Sequence, residues 1–297
     1  MNHLYNSYKY LYQKIFDINS KIDISFEFFP PKIFNKENNN FLSSIKKLSI
    51  FHPNFISITC TPRNSEINYT YQAIKNIPKT LNLNIAPHIT YINNINTITK
   101  LSKKYWNNGI KSIVALRGDV ISKEYNSEVY AFQLVTLLKK IADFDISVAA
   151  YPEVHPEAKN ANLDLIHLKE KINCGANRAI TQFFFDVNKY LKFRDRCISI
   201  GINVDIIPGI LPIMNFQQLK KFINLTNVYV PSWINNIFNN ININNIHINK
   251  MIGLVICVDI IQKLCKEGVN KFHFYTLNDF EIVYTLCSIL KQNIKIN

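Results

Sequence analysis

Glycine is scarce, with seven residues in 297, and none of the seven falls in a Gly-x-Gly-x-x-Gly or Gly-x-x-x-x-Gly-Lys-Ser/Thr string. That removes the glycine-loop sites for dinucleotides and nucleoside triphosphates. Cysteines stand singly at 60, 174, 197, 257, 265 and 287, never as Cys-x-x-Cys. The common zinc, dithiol and iron–sulfur spacings are therefore missing. His-Glu-x-x-His and Gly-x-Ser-x-Gly are absent too, and His88 with His155 does not by itself make a metal set. The longest apolar run near the C-terminus, residues 251–258, is too short for a bilayer and stops at Asp259. No apolar signal core opens the chain. The expectation is a cytoplasmic protein with reduced cysteines, no metal and no membrane partner.

Charge is plentiful but unpatterned. Thirty-four basic against 21 acidic residues give +13, yet the lysines are scattered and no basic run alternates with aromatics. A nucleic-acid partner is not expected.

What the chain does have is a series of short apolar, β-branched segments at 24–29, 55–60, 85–90, 112–117, 146–151, 179–185, 204–210 and 272–277. Helix-period stretches separate them, among them 40–48, 97–106, 129–142, 163–173, 187–200 and 216–225. Near-continuous apolar strands alternating with helices predict a parallel sheet covered on both faces. Gly109, Gly175, Gly201 and Gly268 sit where a helix hands over to a strand, as helix-ending glycines do. Eight such units predict a single (β/α)8 (TIM) barrel over 1–297, with an open doubly wound sheet as the competitor. Residues 1–21 read as an N-terminal amphipathic helix. The stretch between 211 and 271 reads as an extended insertion before the eighth strand, with an Asn-rich patch at 235–249 and a long helix at 248–266.

In such a barrel, chemistry gathers at the C-terminal ends of the strands. The first strand carries Glu27 in Ser25-Phe26-Glu27-Phe28-Phe29-Pro30-Pro31, a carboxyl set among phenylalanines before a double proline. Such a group is expected to be exposed, paired, or kept neutral by a raised pKa. The other ends give Thr59-Cys60, His88, Arg117-Gly118-Asp119, Tyr151 to His155, Gln182 and Pro208-Gly209. Carboxylates and amides between aromatic walls suit a flat heteroaromatic ligand.

The strings Ser25–Pro31, 105–110, 115–119, 151–158, 177–185, 208–212 and 272–278 together resemble the bacterial methylenetetrahydrofolate reductases, in order and at matching spacing. The resemblance implies FAD in the barrel mouth, reduction by NADH, and hydride transfer to 5,10-methylenetetrahydrofolate. It also implies a homo-oligomer, with a tetramer among the options, and a single catalytic domain without a regulatory one. Glu27 resembles the general acid, and Asp119 the carboxylate beside the flavin's N1 and C2 carbonyl. Gln182, Gln218 and Phe222 resemble folate contacts, with Glu27 and Asp119 also facing substrate. Thr59, Cys60, His88, Arg117, Gly118, Asp119, Tyr130, Ala131, Tyr151, His155, Asp164, His167 and Lys171 correspond to flavin contacts. The chain departs from relatives at Cys60-Thr61-Pro62, at His167 and Glu170, and at Asp279, where relatives often carry Arg. The alternatives are another barrel flavoenzyme, such as a proline-dehydrogenase-like oxidase, and a basic nucleic-acid-binding or scaffold protein.

Overall fold

The computed structural model describes residues 21–31, 40–60, 67–91, 95–118, 131–239 and 245–290. The predicted N-terminal helix, Asp119, Tyr130 and residues 240–244 of the Asn-rich patch lie outside them.

Parallel strands form one sheet: β1 Asp23–Phe28, β2 Ile56–Ile58, β3 Ile85–Thr90, β4 Ser112–Leu116, β5 Asp145–Ala150, β6 Arg178–Thr181, β7 Asp205–Ile207, β8 Gly209–Ile210 and β9 Lys271–Tyr275. Their order is β7-β6-β5-β4-β3-β2-β1-β9-β8. β7 bonds to β6 and β8 bonds to β9, so the two are halves of the predicted seventh strand. Pro208 divides them, because it cannot donate to a ladder. Its carbonyl still accepts from the His273 N–H at 3.0 Å. The ring thus closes as eight strands in a (β/α)8 barrel, not as an open sheet.

Six helices between strands fall on the helix-period stretches named above: α1 Asn40–Ser49, α3 Ile95–Asn107, α4 Ala131–Ile141, α5 Ala161–Asn173, α6 Val187–Ser199 and α7 Phe216–Thr226, and α2 Ile67–Asn76 joins them between β2 and β3. The insertion adds α8 Ser232–Asn239 and α9 Ile246–Lys266, and α10 Glu281–Leu290 follows β9. Gly109, Gly175, Gly201 and Gly268 all take positive φ at helix ends, as their placement predicted. None of the described helices is long and apolar enough to cross a membrane.

Side chains alternate across a strand, and here the two faces differ. Phe26, Phe28, Phe272 and Phe274 join the large core between sheet and helices. A smaller cluster of Phe55, Ala86, Val114 and Ile180, with Leu116 against it, fills part of the barrel interior. At the N-terminal ends of β5 and β6, Arg178 grips Asp145 through both guanidinium nitrogens at 2.7 and 2.8 Å, and the Ser112 hydroxyl donates to the same carboxylate at 3.0 Å. Arg178→Met would leave Asp145 half-satisfied. A loss of about 2 kcal/mol is expected, read as a lower urea midpoint at unchanged slope.

Candidate active site at the barrel rim

Strand alternation decides the surroundings of Glu27. Phe26 and Phe28 turn outward, so the carboxyl is not set among phenylalanines as the sequence suggested. It faces into the barrel against two imidazoles instead. His88 Nε2, from β3, lies 3.3 Å from Glu27 Oε2, and His273 Nε2, from β9, lies 3.8 Å from the same oxygen. All three side chains are buried or nearly so, with His273 fully enclosed.

Behind His273, the Ser25 hydroxyl meets Nδ1 at 2.8 Å. Phe55 stacks on the ring at 5.7 Å between centroids, and Tyr275 meets it edge-on at 5.3 Å. A hydroxyl donating to Nδ1 leaves the proton on Nε2, pointing at the carboxylate. Burial raises the carboxyl's proton affinity, but the two imidazoles outweigh it and hold the pKa down at about 2. Burial lowers the pKa of His273, against the pull of Glu27. Glu27 is therefore a carboxylate set against imidazoles, so of the three settings the sequence left open it takes the paired one and not the raised pKa.

A second group assembles beyond β4 and β5. Arg117 follows β4 and pairs with Glu157. Gly118 follows it at φ +85°, with an added Cβ only 3.1 Å from Thr90 Cβ. The loop after β5 brings Tyr151 and His155 together edge-on at 4.5 Å. Val154 between them sits at φ +75°, a strained setting for a β-branched residue. The His155 N–H donates to Asp164 Oδ2 at 3.0 Å, and the Glu157 N–H donates to His155 Nδ1 at 3.0 Å.

Asp164, His167 and Lys171 lie along α5, at spacings that share a face. Lys171 Nζ donates to the Ala149 carbonyl at 2.5 Å. Its burial, eased by Asp164, drops its pKa to about 8. Burial and the Arg117 charge likewise lower that of His155, which Asp164 and Glu157 partly offset.

The remaining expected residues are placed as follows. Thr59 and Cys60 follow β2, with the Thr59 N–H on the Phe28 carbonyl at 2.9 Å. Ala131 opens α4. Gln182 follows β6 and turns its Oε1 onto the Phe183 N–H at 3.1 Å. Gln218 and Phe222, one turn apart on α7, line a small crevice with Leu211, Pro212 and Leu277. Asp279 is held by Lys250 at 2.6 Å, which also pairs with Glu281 at 2.7 Å.

Sequence reasoning missed three participants: Ser25, His273 and Glu157. The first two had a signal in the alternation of Asp-Ile-Ser-Phe-Glu-Phe and Lys-Phe-His-Phe-Tyr, which marks inward polar positions. Glu157 had none, since its pairing with Arg117 spans two loops. Among the described residues, no group of three or more His, Cys, Asp or Glu could hold a metal ion, and none of the six cysteines is in a disulfide.

The methylenetetrahydrofolate reductase family profile matches residues 11–291. The chain belongs to the methylenetetrahydrofolate reductase family. It is 50% identical over 289 residues to the 5,10-methylenetetrahydrofolate reductase of Buchnera aphidicola subsp. Schizaphis graminum, covering 97% of this chain and 98% of that relative. Against the 5,10-methylenetetrahydrofolate reductase of Escherichia coli strain K12 it is 49% identical over 281 residues, covering 94% of each. Among solved structures, a Clostridium thermocellum protein that binds two copies of 5-methyl-5,6,7,8-tetrahydrofolic acid matches with a TM-score of 0.65 at 17% identity, over 96% of this reductase-family chain and 99% of that one. At that identity the likeness is one of fold.

Proposed function

We propose that this protein reduces 5,10-methylenetetrahydrofolate to 5-methyltetrahydrofolate, with FAD as its cofactor and NADH as its electron donor. The observation that carries the reading is Glu27: an inward carboxylate at the barrel rim, faced by two imidazoles, in a chain matched to the reductase family almost end to end. Family membership supports the substrate, and the donor set beyond β4 and β5 fits the cofactor. Arg117, His155 and Lys171 offer cationic and N–H groups suited to a diphosphate where no glycine loop exists. Thr59, Cys60, His88, Gly118, Ala131, Tyr151, Asp164 and His167 are assigned to the cofactor with that set, as are Asp119 and Tyr130. When bound, the flavin supplies a two-electron carrier between nicotinamide and folate.

The chain's own residues have three tasks. Gln182 presents an amide edge to the pterin, while Gln218 and Phe222 hold and stack the flat ring. Asp119 is assigned the role of the negative charge from which a cationic iminium gains. Glu27 delivers the proton that opens the folate's five-membered ring at its departing nitrogen. A carboxylate facing two imidazoles that hold its pKa down does not carry that proton at rest. Closing the rim with flat ligands strips water from Glu27 and works against its charge, so a proton is taken up as the site fills.

The same reading makes the protein a cytoplasmic homo-oligomer of single-domain subunits spanning 1–297, supplying methyl groups for methionine synthesis.

An absorbance scan tests this directly. The purified protein should be yellow, bleach with NADH, and regain colour with methylenetetrahydrofolate but not with a proline-derived acceptor. A colourless protein that binds no added FAD would end the proposal. Lys171→Met should weaken FAD retention at least about tenfold, from loss of one charge-assisted contact. Equilibrium dialysis reads that loss, and unchanged affinity would remove Lys171 from the site.

A further inference from the structure

β1 carries Asp23, Ser25 and Glu27 at alternate positions, and β9 carries Lys271, His273 and Tyr275. Parallel pairing sets Asp23 beside Lys271, Ser25 beside His273 and Glu27 beside Tyr275. Alternate residues share a face, so this wall of the interior is polar from one end of the barrel to the other. The apolar cluster of Phe55, Ala86, Val114 and Ile180 occupies other strands.

At the N-terminal foot of the polar wall lies a cavity of about 150 Å³. Asp23, Ser25, Asn54, Asn84, Asp205 and Lys271 are among its lining residues. Asn54, Asn84 and Asp205 are exposed at its mouth, so it meets solvent on the side of the barrel away from Glu27. It is polar, and several times the roughly 30 Å³ share of a water molecule. Ser25 has its hydroxyl on His273 Nδ1 at 2.8 Å, and His273 Nε2 is the buried, unpartnered nitrogen aimed at Glu27.

We propose that this cavity, with Ser25 and His273 above it, is a second, axial proton entrance to Glu27, opening at the barrel end opposite the substrate rim. The proposal rests on the reading of Glu27 as the proton donor. Each turnover leaves one proton on the folate's departing nitrogen, and the site must regain it. Ligands stacked over the rim close the outer approach to Glu27 and leave the axial one open. A cavity water gives a proton to Ser25 Oγ as the Ser25 hydroxyl proton passes to His273 Nδ1. The Nε2 proton of His273 then moves to the Glu27 carboxylate. The hydroxide left in the cavity takes a proton from bulk solvent. His273 ends neutral in its other tautomer; once the rim reopens, Nε2 takes a proton from entering solvent as the Nδ1 proton returns through Ser25 to the cavity, which restores the first.

Filling the cavity from its mouth, with Asn54→Met and Asn84→Met together, tests the path without touching the residues assigned to catalysis. Deuterium exchange at the His273 imidazole Cε1–H, followed by mass spectrometry, should slow at least tenfold while exposed His52 and His247 are unaffected. In loaded enzyme, re-oxidation by methylenetetrahydrofolate should slow at least threefold, with NADH bleaching unchanged. Unchanged exchange at His273, or exchange that stops only when folate covers the rim, overturns the path. Slowed exchange in a protein that never reacts with folate supports the path and fails the catalytic reading instead. Should the double variant not fold, Asn84→Met alone is expected to slow exchange about threefold, and no change there is equally decisive against the proposal.

Discussion

Glu27→Gln should leave NADH-driven bleaching within about a factor of three of the parent, while re-oxidation by methylenetetrahydrofolate falls by about 10² to 10⁴. The amide is isosteric and its oxygen still faces His88 and His273, so the rim keeps its shape. What it cannot do is carry a proton. Hydride transfer from nicotinamide needs no acid at this position, whereas opening the folate ring does. Stopped-flow absorbance separates the two half-reactions in one preparation. Equal loss of both would mean that Glu27 holds the site together rather than serving the chemistry.

Gly209→Ala is expected to be severely damaging for a change of a single methyl group. A Cβ there would lie 2.2 Å from the Thr181 carbonyl oxygen and 2.6 Å from Tyr275 Cε2. Neither neighbour can yield easily. The Thr181 hydroxyl accepts the Gly209 N–H at 2.9 Å, and the Thr181 carbonyl accepts the Tyr275 hydroxyl at 2.8 Å. Three strands are locked at that point, and one of the clashing atoms is backbone. The expected cost is about 3 kcal/mol or more, lowering the melting temperature by at least about 6 °C. A melting curve matching the parent's would show that the seam has slack. Tyr275→Phe, which keeps the ring and loses only the hydroxyl, should cost far less.

Most of the architecture could be read before any coordinates. Glycines after helices and eight apolar segments led to the barrel because each reflects local backbone chemistry. The break at Pro208 was in plain view as a proline inside a strand, but its meaning depends on which neighbours each half joins. The site was half legible. Glu27, His88, Arg117 and His155 stood out as ionisable groups at strand ends, whereas Lys171, within a helix, entered only through the family resemblance. The partner that sets the state of Glu27 did not, because His273 lies 246 positions away and meets it only through strand pairing. Phenylalanines flanking Glu27 in sequence suggested an apolar pocket. A two-residue repeat sends nearest neighbours to opposite faces, so sequence adjacency in a strand says least about who touches whom.

Closure of the ring between β1 and β9 also bears on biosynthesis. Lys271–Tyr275, the pairing partner of Asp23–Phe28, is synthesised about 240 residues after it. At about 5 to 20 residues per second, that delay is roughly 12 to 50 s. Throughout it, one side of the first strand's main chain has no ladder to join, the condition under which nascent chains pair with each other.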